Sequence, residues 1–254
     1  MSRVLYYLNY VWRVVGTGIS FVTFAIGGLF IGYIIFPVVI SFTKKKQRRA
    51  QYIIYLSFRF FRRLMQYFGL INCSFEGIEK LQSDTGCLFI SNHPTLIDYV
   101  IIVSKLKSCD VIIKESIWYN FYVKGMVRTA KYIPNIQADN MLEMIKFTKK
   151  NKHNLLLFPE GTRTTPNQPL KLQRGAANIA IRMNMPIRLI HIKTTQSSLT
   201  KQSKWYKVPE HKVEYLVSVG EKVEPNDFLH KAGNPSLAAR HLTKYLTKQL
   251  EKEL

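Results

Sequence analysis

The chain has 254 residues, 47% of them hydrophobic, and carries 37 Lys and Arg against 16 Asp and Glu, a formal net charge of +21. That excludes a chain too poor in apolar residues to build a core, and allows one large domain or one domain with an appendage. The charge calls for an anionic partner: nucleic acid, anionic lipid or acidic protein.

The N-terminal part decides between these. No acidic residue precedes Glu76, whereas Arg3, Arg13, Lys44, Lys45, Lys46, Arg48, Arg49, Arg59, Arg62 and Arg63 flank the most apolar stretch. A nucleic-acid binder has no need of that neighbour, so the reading is membrane and no nucleic acid. Residues 14–43 carry no charge, a run longer than the roughly 20 residues needed to cross a bilayer. It is too long for a cleavable leader. Pro37 and the glycines at 16, 18, 27, 28 and 32 predict kinks or two shorter helices. Either a spanning helix or a hairpin in one leaflet fits. The basic cluster closing the run places that end in the cytoplasm. Residues 47–70 predict a second helix on which Arg48, Arg59, Arg62 and Arg63 fall within about 100° of one another. That stripe suits an anionic phospholipid surface.

From residue 76 short apolar runs alternate with helical segments. Strands are predicted at 87–91, 111–113, 155–158, 187–192 and 213–219, and helices at 96–106, 140–150, 175–183 and 236–253, with Asp139 as an N-cap. This alternation predicts an α/β domain, with a mostly parallel sheet flanked by helices, at 76–254, preceded by membrane-associated helices at 1–75. Cys73, Cys87 and Cys109 are an odd number without metal spacing and read as buried thiols in a reduced, cytoplasm-facing protein. The histidines at 153, 191, 211, 230 and 241 have no ligand spacing. No metal and no bound cofactor is implied.

Two stretches carry chemistry. In Asn92-His93-Pro94-Thr95-Leu96-Ile97-Asp98, Pro94 suits a first helical turn, which places His93 where strand passes to helix and Asp98 about a turn later. A carboxylate on one ring nitrogen leaves the other free to take a proton. Asn92 can brace the loop. In Phe158-Pro159-Glu160-Gly161-Thr162-Arg163, Pro159 ends a strand and Gly161 makes a tight corner with bare N–H groups. Arg163 can grip phosphate in a fork. Glu160 would repel an anion, so it must bond an acceptor hydroxyl, Arg163 or a neighbouring amide.

These blocks, in this order, resemble those of the glycerolipid acyltransferases typified by 1-acylglycerol-3-phosphate O-acyltransferase, over roughly residues 75–219. Asn92, His93 and Asp98 meet the family's Asn-His-x4-Asp block. Phe158 to Arg163 meet its Phe-Pro-Glu-Gly-Thr-Arg block, Lys171 and Gly175 meet a trailing Lys and Gly, and residues 186–190 loosely meet its apolar strand opened by proline. The resemblance implies that His93, oriented by Asp98, deprotonates an acceptor hydroxyl, which attacks an acyl thioester without an acyl-enzyme. Glu160, Gly161, Thr162, Arg163 and Lys171 would hold a lysophospholipid-like acceptor such as 1-acylglycerol-3-phosphate. The family's second block carries an arginine for acceptor phosphate where this chain has Asn135; Arg128 and Lys131 would stand in. That departure leaves an aminolipid or polyene lipid as the alternative acceptor. The rival from another class is a basic membrane adaptor with no need of His93. Residues 92–98, 132–135 and 205–209 also resemble a bacterial subgroup encoded beside polyene-synthesis enzymes. This implies the inner (cytoplasmic) membrane, with the catalytic domain facing the cytoplasm, and an acyl carrier protein thioester as donor. A coenzyme A thioester fits the charge equally.

Overall fold

The computed structural model describes residues 3–136, 138–165 and 168–252. It opens with α1 (Arg3–Phe30), a π-helical stretch (Ile31–Ile35) and α2 (Phe36–Ser41). Together they form one 39-residue rod, apolar and long enough to cross a membrane by length and composition. Of the two expected arrangements, kinks or two shorter helices, the second is corrected: the run is one continuous helix with a π-helical stretch just before Pro37. The Phe36 N–H bonds the Ile31 carbonyl, and this widened turn lets the chain pass Pro37 without a break. Gly16, Gly18, Gly28 and Gly32 lie at close contacts. A Cβ on Gly125 would lie 2.8 Å from the Gly32 carbonyl oxygen, so the rod and the segment around Gly125 meet backbone to backbone.

The next helix, α3 (Lys46–Tyr67), is amphipathic and buries Ala50, Ile54, Phe58, Phe61 and Met65 in the domain core. Its basic stripe needs correction. Arg62 is buried and bonds Ser104 Oγ through Nε at 3.0 Å, while Arg48 and Arg63 stay exposed.

Thereafter strands and helices alternate: β1 (Ile71–Glu76), α4 (Ile78–Ser83), β2 (Leu88–Ser91), α5 (Asp98–Val103), β3 (Asp110–Lys114), α6 (Glu115–Tyr119), α7 (Lys124–Thr129), β4 (Ile133–Asn135), α8 (Ala138–Lys150), β5 (Leu155–Leu157), α9 (Gly175–Met183), β6 (Ile187–Thr194), β7 (Val213–Val223), α10 (Pro225–Ala232) and α11 (Pro235–Lys252). α8 starts one residue before Asp139, whose side chain lies outside the described residues. The expected boundary at 75/76 falls inside β1, and α3 shares the core of the sheet. The N-terminal helices and the α/β part are thus packed as one body.

The seven strands run in the order β1-β7-β6-β2-β5-β3-β4. Pairing is parallel except between β6 and β7, so β2 to β6 share one direction and β1 and β7 oppose it. Side-chain alternation sends Phe89 to the face covered by α3 and α5, and Leu88 and Ile90 to the face covered by α9 and α11. Central strands buried on both faces read as continuous apolar runs. β2 and β5 are neighbours, with Ile90 opposite Leu157. The loops that follow them therefore leave the carboxyl edge side by side, where open α/β sheets place their sites.

Candidate active site

The site forms where loop 92–97 meets loop 158–165. Asn92 is fully buried. Its Nδ2 donates to the Ile192 carbonyl at 2.8 Å and its Oδ1 accepts from the Ile192 N–H at 2.8 Å. The amide thus pairs with β6 as a further strand residue would, and fixes where His93 begins.

His93 is clamped by its backbone. Its N–H donates to Glu160 Oε1 at 3.0 Å and to Thr164 Oγ1 at 3.1 Å, and its carbonyl accepts from the Thr164 N–H at 2.7 Å. Thr164 Oγ1 also donates to Glu160 Oε1 at 2.7 Å. Glu160 therefore serves a neighbouring amide, one of the three roles open to it from sequence, and the amide is that of His93. Burial pushes the Glu160 carboxyl above the ordinary glutamate range, offset by the bonds from Thr164 and His93.

The imidazole stacks on Phe158, with ring centroids 4.3 Å apart, and its Nδ1 lies 2.8 Å from Asp98 Oδ2. Asp98 stands at the first position of α5, not a turn into a helix beginning at residue 96; Pro94 lies in the loop. Oδ2 also accepts from the Thr95 N–H at 2.6 Å, and Oδ1 from Thr95 Oγ1 at 2.5 Å. Tyr215 Oη lies 3.2 Å from Thr95 Oγ1. With the Thr95 proton spent on Asp98, Tyr215 donates. Asp98 has no solvent exposure. Burial raises its carboxyl above the usual aspartate range, and the bonds from His93 and Thr95 pull it back. A buried carboxylate facing Nδ1 fixes the proton there and leaves Nε2 free to accept one.

Gly161 adopts φ +68°, a conformation costly for residues with a Cβ, and its N–H bonds the Phe158 carbonyl at 3.1 Å. Thr162 lies half-buried on this turn. Pro159 is buried, and its carbonyl accepts from the Gln173 N–H at 2.7 Å. That bond draws in the segment with Lys171, which is exposed, and Gly175, which opens α9. Arg163 Nη1 donates to the Leu199 and Thr200 carbonyls, each at 2.8 Å. One arm of the fork expected on phosphate is thus spent on protein.

Among the described residues, Arg128 and Lys131 are seen on aromatic rings rather than bonded to this corner. The Arg128 guanidinium lies over the Trp118 and Tyr119 rings and the Lys131 ammonium over Phe147. Sequence reasoning missed Thr95, Thr164, Phe158 as a stacking partner, and Tyr215. The one signal for Tyr215 was a hydroxyl-bearing residue on the buried face of a valine-rich alternation.

Residues 72–193 match the family model described as Acyltransferase. The chain is 30% identical over 112 residues to a 1-acyl-sn-glycerol-3-phosphate acyltransferase of Cocos nucifera, covering 41% of this chain and 36% of that protein. It is 29% identical over 119 residues to the chloroplastic 1-acyl-sn-glycerol-3-phosphate acyltransferase BAT2 of Brassica napus, covering 44% and 34%. The chain thus spans about a third of the length of these relatives. The crystal structure of the 1-acyl-sn-glycerophosphate acyltransferase PlsC from Thermotoga maritima is similar in fold, with a TM-score of 0.71, 17% identity and 97% of each chain covered. Every residue of loops 92–98 and 158–164 that clamps or orients His93 falls inside residues 72–193, the segment that matches the Acyltransferase family model.

Proposed function

We propose that the protein is a membrane-associated O-acyltransferase that moves a fatty-acyl group from an acyl thioester to a hydroxyl of a lysophospholipid such as 1-acylglycerol-3-phosphate. The observation that carries this reading is the His93–Asp98 pair, with Nδ1 held at 2.8 Å and the His93 backbone locked to the Glu160 corner.

In this reading Nε2 of His93 takes the acceptor hydroxyl proton as the oxygen attacks the thioester carbonyl. The tetrahedral intermediate collapses with cleavage of the C–S bond, and the proton returns from Nε2 to the departing thiolate. Asp98 stabilises the imidazolium formed between the two transfers. The carbonyl oxygen gains charge and is met by a backbone N–H of the 160–162 turn other than that of Gly161, which the Phe158 carbonyl already holds. Arg163 and Lys171 supply positive charge for the acceptor phosphate.

The donor thiol belongs to an acyl carrier protein or to coenzyme A. The enzyme would sit on a bacterial inner membrane with the catalytic edge toward the cytoplasm. A second reading keeps the chemistry and changes the acceptor to an aminolipid or polyene lipid. It is favoured by Asn135 in the second block and by the Arg163 arm already bonded to carbonyls.

The test is an acceptor screen with purified full-length protein and one acyl thioester, read by mass spectrometry, with His93→Ala alongside. Acyl transfer to 1-acylglycerol-3-phosphate that disappears in His93→Ala is the expected result. Transfer confined to acceptors without phosphate establishes the second reading. Wild-type protein inert on every hydroxyl acceptor overturns both.

A further inference from the structure

The loop between β6 and β7 buries Leu199 in the core, but the proposed chemistry gives no role to its exposed part. Residues 195–212 contain Lys201, Lys204, Lys207 and Lys212, with Glu210 the one acidic residue. Lys201, Lys204, Trp205, Tyr206 and Lys207 are all exposed, and the Lys204 ammonium lies 5.7 Å from the Tyr206 ring centroid. Aromatic side chains set among lysines carry an apolar body and a polar rim, as the headgroup layer of a bilayer requires.

The loop is bonded at two places. On one side it grips the apolar rod. Arg13 Nη1 donates to the Pro209 carbonyl at 3.0 Å, Tyr10 Oη to the Tyr206 carbonyl at 3.3 Å, and the Trp205 ring packs edge-on against Phe21, 6.4 Å between centroids. A Cβ on Gly18 would lie 3.5 Å from Trp205. On the other side it reaches the catalytic corner. The Leu199 carbonyl accepts from both Arg163 and the Leu96 N–H, three residues from His93. Leu199 holds φ +52°, a conformation that a bulky side chain adopts only when its surroundings impose it. The rod's contact with this loop and its contact with the segment around Gly125 both follow the carboxyl ends of strands, β6 and β3. The exposed apolar face of the rod and the catalytic edge are thus joined through residues 196–210.

We propose that this loop is a second membrane-contact element. Lys201, Lys204 and Lys207 bind anionic headgroups, Trp205 and Tyr206 enter the interface, and the Leu199 and Thr200 carbonyls hold the catalytic corner to the bilayer surface through Arg163. The proposal deepens the membrane reading of the long helix and rests on it. It also moves the anionic-lipid contact from the α3 stripe, where Arg62 is buried, to a loop bonded to the site. The surface fits an anionic bilayer, because its basic residues continue directly into an exposed apolar helix.

The experiment uses full-length protein in nanodiscs of neutral lipid, or of neutral lipid mixed with phosphatidylglycerol, with brominated acyl chains as fluorescence quencher. Two single-tryptophan proteins separate the parts: Trp12→Phe/Trp118→Phe reports from Trp205, and Trp118→Phe/Trp205→Phe reports from Trp12 on the rod. Quenching of Trp12 in both discs is expected. Trp205 should be quenched several-fold more strongly with phosphatidylglycerol present, and Lys201→Gln/Lys204→Gln/Lys207→Gln should abolish that difference. Unquenched Trp12 overturns the membrane reading itself. Quenched Trp12 with unquenched Trp205 overturns the loop proposal alone, as does Trp205 quenching indifferent to both lipid charge and the three lysines. Protection of residues 200–208 from hydrogen exchange by an acidic carrier protein, with no Trp205 quenching by lipid, would assign the surface to a protein partner and refute the bilayer.

Discussion

Glu160 is best tested by comparing two substitutions. Its Oε1 accepts from the His93 N–H and from Thr164 Oγ1. Alanine removes both bonds; glutamine keeps a carbonyl oxygen in the same place and removes only the charge. The His93 amide retains Thr164 Oγ1 at 3.1 Å, so Glu160→Ala should cost about 2 kcal/mol of stability rather than the full penalty of two lost charge-assisted bonds. Activity should fall further, by about 10²-fold, because a shift of about 1 Å at a catalytic group is enough for that. Glu160→Gln should melt within a few degrees of wild type and keep its rate within about tenfold. The pH dependence has a definite sign. Burial raises this carboxyl in the fold, so its contribution to stability is complete below the unfolded value and is lost as pH rises through the folded one. Glutamine does not titrate, so Glu160→Gln should gain on wild type across that window. Thermal melts over a pH series and acyl-transfer rates on the same preparations measure both effects. If Glu160→Gln is as inactive as Glu160→Ala while both melt like wild type, the carboxylate acts on substrate by its charge and the clamp argument fails.

Thr95→Val removes the hydroxyl donor to Asp98 and should lower turnover by about 10², whereas Tyr215→Phe, one bond further out, should lower it less than tenfold with an unchanged melting curve; equal losses would break the assigned order of the chain. The thiols should be inert: burial pushes Cys73 and Cys87 up to about 12 and Cys109 up as well, so iodoacetamide at neutral pH should leave activity intact, and rapid inactivation would point to a thiol intermediate. Gly125→Ala puts a methyl group 2.8 Å from the Gly32 carbonyl and should loosen the rod from the domain, seen as faster hydrogen exchange in 121–129 with the site itself still protected; unchanged exchange would show that the two backbones do not meet there.

The two motif blocks were legible because the residues of each lie close together in the chain. A histidine five residues before an aspartate, and a proline-glycine corner ending in arginine, each suggest a chemistry within seven residues. The central strands were legible because burial on both faces makes them continuous apolar runs. What stayed hidden depends on distance along the chain or on length. Nothing in Glu160 announces that its partner is an amide 67 residues earlier. The mixed polar composition of Ile71–Glu76 and the Pro134 within Ile133–Asn135 conceal edge strands whose pairing is decided by neighbours. Arg62 reads as part of a surface stripe until Ser104 is seen to receive it. Gly32 looks like a hinge because sequence shows its flexibility and not the Gly125 backbone pressed against it.

The central claim is that His93 moves the proton, and the direct measurement is the rate of acyl transfer by folded His93→Ala on the acceptor found in the screen. The account predicts a fall of about 10² to 10⁴, with the melting temperature and membrane retention of the wild type. A folded, membrane-bound His93→Ala protein that turns over at the wild-type rate would contradict it.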